Sequence, residues 1–174
     1  HRDSIADIGI ISGRIAAIAE NIAGSSPQEI DAMGMIVMPG LIDIHAHYGQ
    51  NTEGPHICLS DGVTGWIDGG SGGADNIDDI IAVARSAPQP ARTLINIGRQ
   101  GVLPEGDTVD LSLANVEAAK AAIARNRDYV IGVKARLSSG VTANDVEVLR
   151  RAQEAASYFN LPLMIHMGQS ETSM

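Results

Sequence analysis

The sequence is short of several things, and each shortage excludes a class of protein. It holds one cysteine, Cys58, in 174 residues. No disulfide framework can be built from one thiol, which fits a reducing cytoplasm. Aromatic residues make up 3% of the chain, too few for a base-stacking platform. Lysine and arginine number 12 against 21 acidic residues, for a net charge of −9 with no basic block. That balance argues against nucleic acid and against anionic membrane surfaces. No uninterrupted apolar run approaches the roughly 20 residues that span a bilayer. No signal peptide opens the chain. The first residue is His1 rather than methionine, so the sequence is expected to begin inside a longer reading frame. The partner left by these exclusions is a small-molecule substrate.

What is present is core-forming material. Hydrophobic residues make up 44% of the sequence, enough to bury a sizeable core and to exclude general disorder. "DIGIISGRIAAIAENI" (7–22) predicts two short strands turning at Ser12-Gly13. "EIDAMGMIVMPGLIDIHAH" (29–47) predicts another short strand, a turn at Met33-Gly34 and a break at Pro39-Gly40. Leu41 to His47 then reads as a buried strand. Strands and helices alternate from there. Strands are predicted over 62–70, 91–98, 128–136 and 161–168, and helices over 74–87, 113–126 and 142–159. The last helix opens with Thr142 and Asp145 in a capping-box arrangement.

Alternating strands and helices point to a parallel sheet. Five barrel-type strands start near residues 41, 63, 91, 129 and 161. A closed eight-stranded barrel takes about 250 residues. The expected fold is therefore α/β: a partial TIM (β/α)8 barrel, about strands one to five, over residues 39–174. Residues 1–38 are expected to form the N-terminal part of a small β-sandwich. A doubly wound sheet is the alternative, but "HAHYG" stands where its glycine-rich phosphate loop belongs.

Alternate strand residues share a face, so His45 and His47 point the same way. They stand at the C-terminal end of the first barrel strand, where barrel active sites lie. Two imidazoles so spaced can bind one divalent ion. Equally, they can be two core histidines hydrogen-bonded to backbone. His166 closes the fifth strand in "LMIHMG", and on its own reads as a core histidine. Lys134 is the odder residue, because a charged amine is costly to bury in an apolar strand such as "VIGVKAR". It can snorkel, pair with an acid or lose its charge. A neutral amine there can form a Schiff base with a carbonyl substrate, or add carbon dioxide and become a metal-bridging carbamate.

Together these features carry a resemblance. "VMPGLIDIHAH" resembles the signature of the amidohydrolase superfamily, metal-dependent barrel hydrolases with a small β-sandwich. The order H-x-H on strand one, lysine on strand four and histidine on strand five matches its pattern. "GVTGWIDGGSGGADNID" and "VIGVKARLS" resemble its dihydroorotase-like branch, in particular the amidohydrolases also labelled deacetylases. The resemblance implies that His45 and His47 bind a first metal, that carboxylated Lys134 bridges two, and that His166 binds the second. Zinc is the expected metal, with manganese, iron or cobalt as alternatives. It implies also a histidine on strand six and an aspartate general base on strand eight. Neither strand is legible here, so the general base is expected to lie outside this chain.

The family's dihydroorotases carry an arginine two residues after the second histidine. Gly49 stands at that position, which speaks against dihydroorotase activity itself. Arg136 shares the face of Lys134 and is a candidate for an anionic substrate group or for a structural salt bridge. Asp43 is a candidate support for the histidines. His56 reads as a surface residue in a loop, and Cys58 as a small core residue. Gly69, Gly70, Gly72 and Gly73 could offer backbone N–H groups to a substrate or simply turn the chain.

The expected activity is metal-dependent hydrolysis of an amide or ester, deacetylase-like, on an N-acetyl amino acid or acetylated hydroxy acid. Two alternatives remain: a Schiff-base lyase using Lys134, and a non-catalytic half-barrel whose open edges favour a homo-oligomer.

Overall fold

A computed structural model describes residues 4–168. The chain divides into two compact units, His1–Met38 and Pro39–Met174. The first contains an antiparallel hairpin of β1 (Asp7–Ile11) and β2 (Arg14–Ala19). Ser12 and Gly13 turn it with φ of 52° and 72°. Both values are left-handed, as a two-residue turn matching the strand twist requires. The strand expected between residues 29 and 38 does not form among the described residues. Met33-Gly34 makes its turn, but Ile30, Met35 and Ile36 stay exposed and no strand pairs with this segment. Apolar character alone does not make a strand where ladder partners are missing.

The second unit is a five-stranded parallel sheet in simple sequential order. Its strands are β3 (Leu41–Ala46), β4 (Val63–Asp68), β5 (Ala91–Asn96), β6 (Val130–Ser138) and β7 (Leu163–Gly168). Helices α1 (Gly54–Ser60), α2 (Ile77–Ser86), α3 (Val116–Arg125) and α4 (Asp145–Tyr158) connect successive strands. This is the strand-helix order of the first five units of a TIM barrel, a curled half-barrel. Each helix turns an apolar stripe inward. Ile77, Ile80 and Ile81 of α2 are 0–6% exposed, as the i, i+3, i+4 spacing demands. Burying each is worth about 1.5–3 kcal/mol. Alanines do the same work in α3 and α4, where Ala119, Ala122, Ala152 and Ala155 are buried. Their small side chains admit close approach to Ile95, Val130 and Val133 of the sheet, in one core cluster.

Two local expectations differ from the structure. The loop expected around His56, "NTEGPHICL" (51–59), carries the short helix α1 instead, with Pro55 in its first turn and His56 on its exposed side. Helix α4 is capped by Asn144, not by Thr142. The Asn144 side chain accepts from the Glu147 N–H at 3.0 Å, while Thr142 Oγ1 accepts only from Asn144 N. Asn at the N-cap satisfies an orphan donor as well as threonine does.

Candidate metal centre

The C-terminal strand ends bring the candidate residues to one place. His45 lies near the end of β3, and His47 one residue beyond it, at the entry to the 3-10 turn Tyr48–Gln50. The β3–β4 ladder slips register between Asp43 and Ala46, across His45. Slips of this kind re-aim side chains. The two imidazoles are adjacent, with ring centroids 5.6 Å apart.

Lys134, in the middle of β6, is 1% exposed. Its Nζ lies 2.9 Å from His45 Nε2 and 3.4 Å from Met164 Sδ. Neither contact is an anion. Burial pushes the Lys134 amine down from its ordinary value, with the Arg136 charge adding to it and Asp107 and Asp68 opposing. His45 is also pushed down, first by desolvation, then by Lys134, His47 and His166, against Asp43. Met164 and His166 on β7 stand opposite Lys134 and Arg136 in the β6–β7 register. His166 is exposed and acts on His45 through its charge. The structure thus joins His45, His47 and Lys134 in contact and sets His166 on the neighbouring strand.

A divalent cation fits this donor set in one respect and is incomplete in another. A buried amine facing an imidazole nitrogen, with no carboxylate on it, is a cluster of bases short of a positive centre. Yet among the described residues no three His, Cys, Asp or Glu side chains gather in metal-ligating geometry. Lysine falls outside that count, and a carbamate on Nζ would add an anionic oxygen donor where the amine stands.

Glycine makes the room. A Cβ at Gly69 would lie 2.3 Å from His45 Cδ2, and one at Gly70 2.4 Å from Lys134 Cβ. The N–H groups of Gly69, Gly70 and Gly73 are already engaged, by Ala46 O, Asp68 Oδ1 and Asn76 Oδ1. These three glycines therefore serve close packing and offer no N–H to a substrate. Asp43 does not touch the imidazoles through its carboxylate; its Oδ1 accepts from the His45 backbone N–H at 2.9 Å.

Arg136 donates through Nη1 to Asp107 Oδ1 at 2.8 Å. Asp107 is 1% exposed and also accepts from Asn96 Nδ2 and Leu103 N. A salt bridge is therefore present, with the arginine side chain 24% exposed beside the lysine face. Cys58 is buried in the smaller core cluster with Trp66, Ala46, Ala84 and Ala91.

Two residues escaped the sequence reading. Asp68 ends β4 and is fully buried, and Ser71 follows three residues later at 4% exposure. Ser71 Oγ lies 2.7 Å from His47 Nδ1 and 2.8 Å from Asp68 Oδ2. The one available signal was an acid at a strand end inside "WIDGGSGG".

No family model matches the chain. A deacetylase of Enterococcus faecalis is 32% identical over 94% of this chain and 47% of its own length. A dihydroorotase of Solibacter usitatus is 29% identical over 94% of this chain and 38% of its own. A crystal structure of an adenine deaminase superposes with a TM-score of 0.81 at 29% identity, covering 95% of this chain and 47% of that one. The chain spans about half the length of the curated relatives it matches.

Proposed function

The chain belongs to the amidohydrolase superfamily, on its dihydroorotase-like branch, and from that premise we propose that it forms the metal-holding part of a deacetylase-like hydrolase. The substrate is a small amide or ester, such as an N-acetyl amino acid or an acetylated hydroxy acid. The observation that carries this reading is the buried Lys134 amine, 2.9 Å from His45 Nε2 and without an anionic contact. Added to carbon dioxide, that amine forms an N–C bond and releases a proton, becoming a carbamate. His45, His47, carboxylated Lys134 and His166 would then hold a pair of cations, zinc in the first instance. When bound, a divalent cation supplies Lewis acidity, activating water and polarising a carbonyl.

The chain's own residues supply position and field. Gly69 and Gly70 leave room for His45 and Lys134. Arg136, pinned on one side by Asp107, presents its remaining N–H groups as a contact for an anionic substrate group. The charges of Asp68 and Asp107 favour positive charge at the lysine, against the effect of its burial. The proton-accepting carboxylate belongs, by the resemblance, to a segment outside this chain.

A Schiff-base role for Lys134 is less well served, since Nζ is enclosed by His45 and Met164 and leaves the histidines unexplained. The test is direct. The intact protein is assayed on a panel of N-acetyl amino acids and acetylated hydroxy acids, stripped with a chelator and reloaded with zinc. Hydrolysis lost on stripping and regained with zinc is expected, with metal content at background in Lys134→Met. Chelator-resistant turnover with borohydride trapping of substrate on Lys134 would overturn the reading.

A further inference from the structure

The hydrogen bonds around Ser71 determine where its proton lies. Asp68 takes four donors, two to each oxygen. Gly70 N and Ser71 N reach Oδ1 at 3.0 and 2.7 Å. Gly49 N and Ser71 Oγ reach Oδ2 at 3.1 and 2.8 Å. Three of the four are backbone N–H groups, which can only donate. A carboxylate has no hydrogen to give and only accepts. The Ser71 hydroxyl therefore directs its single hydrogen to Asp68.

His47 Nδ1 stands 2.7 Å from that same hydroxyl oxygen. With its hydrogen committed, the oxygen can only accept. Nδ1 must then carry a proton, and in a neutral imidazole the lone pair falls on Nε2. Which ring nitrogen is protonated follows here from the hydrogen-bond inventory.

We propose that Asp68 and Ser71 are positioning residues that lock His47 in the Nδ1–H tautomer, keeping Nε2 as its cation-ligating nitrogen. Neither touches substrate. They set the His47 ring through its Nδ1, as an outer partner orients a metal-binding histidine. Ser71 is well placed for this because Asp68 holds its backbone as well as its hydroxyl, so the acceptor cannot swing away. The ligand role rests on the metal-centre reading above; the tautomer does not.

The test uses the intact protein, chelator-stripped and labelled with 15N only at histidine. Long-range proton–nitrogen spectra read the protonated ring nitrogen, with His47 assigned through its loss in His47→Asn. Protonation at Nδ1 is expected. In Ser71→Ala the ring should become a tautomer mixture and zinc affinity should fall about 10–100-fold, the usual cost of losing an outer partner. Ser71→Thr, which keeps a hydroxyl, should restore both. Protonation at Nε2 in the wild type, or an unchanged tautomer and unchanged zinc affinity in Ser71→Ala, would overturn the proposal. A wild type with the expected tautomer that binds no zinc supports the lock and overturns the metal-centre reading, so the two failures are distinct.

Discussion

At the residue scale the site depends on side chains that are absent as much as on those present. Gly70 has φ of +89°, and a Cβ there would press on Lys134 Cβ at 2.4 Å. A left-handed conformation costs a non-glycine residue about 1–3 kcal/mol. Gly70→Ala should therefore lower unfolding free energy by at least that amount, because the clash with a buried β6 side chain adds to it. Denaturant melts of wild type and variant check the size, and zinc titration should show weakened binding although no ligand is altered. The residues legible in sequence were those whose type is out of place: paired imidazoles on an apolar strand, and Lys134 among valines and isoleucine. Asp68 and Ser71 were not legible. An acid and a serine among glycines look like any turn, and their meaning comes from His47, which is 24 residues from Ser71 in sequence. The Arg136–Asp107 bridge was half legible for the same reason, its acid lying 29 residues away on a long loop.

At the element scale, periodicity located α2, α3 and α4 because each has a regular apolar stripe. Helix α1 is seven residues long and buries only Gly54, Pro55 and Cys58, a pattern with no readable period. The ends of α4 illustrate electrostatics at an exposed helix. Glu147 in its first turn accepts from both Arg150 and Arg151, and hydrogen bonds to these guanidinium groups pull its carboxyl down from 4.5 to about 2. The sign follows from a folded-state value below the unfolded one. The contribution to stability is complete above about pH 4.5 and is lost as pH falls through about 2. A carbon-13 titration of the Glu147 carboxyl should have its midpoint near 2, and in Glu147→Gln the acid-side loss of stability should shrink. A midpoint near 4.5 would show that Arg150 and Arg151 do not hold it.

At the scale of the whole molecule, the second unit is an open sheet. β3 and β7 each have one partner strand among the described residues, leaving the other side of each unpaired. On β3, Leu41, Ile42 and Ile44 are 51–65% exposed. Exposed apolar edge strands drive association. The 174-residue polypeptide, expressed by itself, is expected to sediment above its 18.2 kDa monomer mass. The double substitution Ile42→Lys with Ile44→Lys should move it toward the monomer. A monomeric wild type at high protein concentration would refute this. The fold was readable at this scale because strand-helix alternation survives without long-range information, and five spaced repeats of it admit few architectures.

Asp68 also ties together backbone from two chain segments, since the amides of Gly49, Gly70 and Ser71 all end on its carboxylate. In deuterated water these three amide hydrogens cannot be released one after another by small local fraying. They should exchange at closely matched rates, slowed by the same opening, and Asp68→Asn should quicken all three together while amides deep in α2 keep their pace. The mouth of the sheet would then behave as one latch with a single bolt.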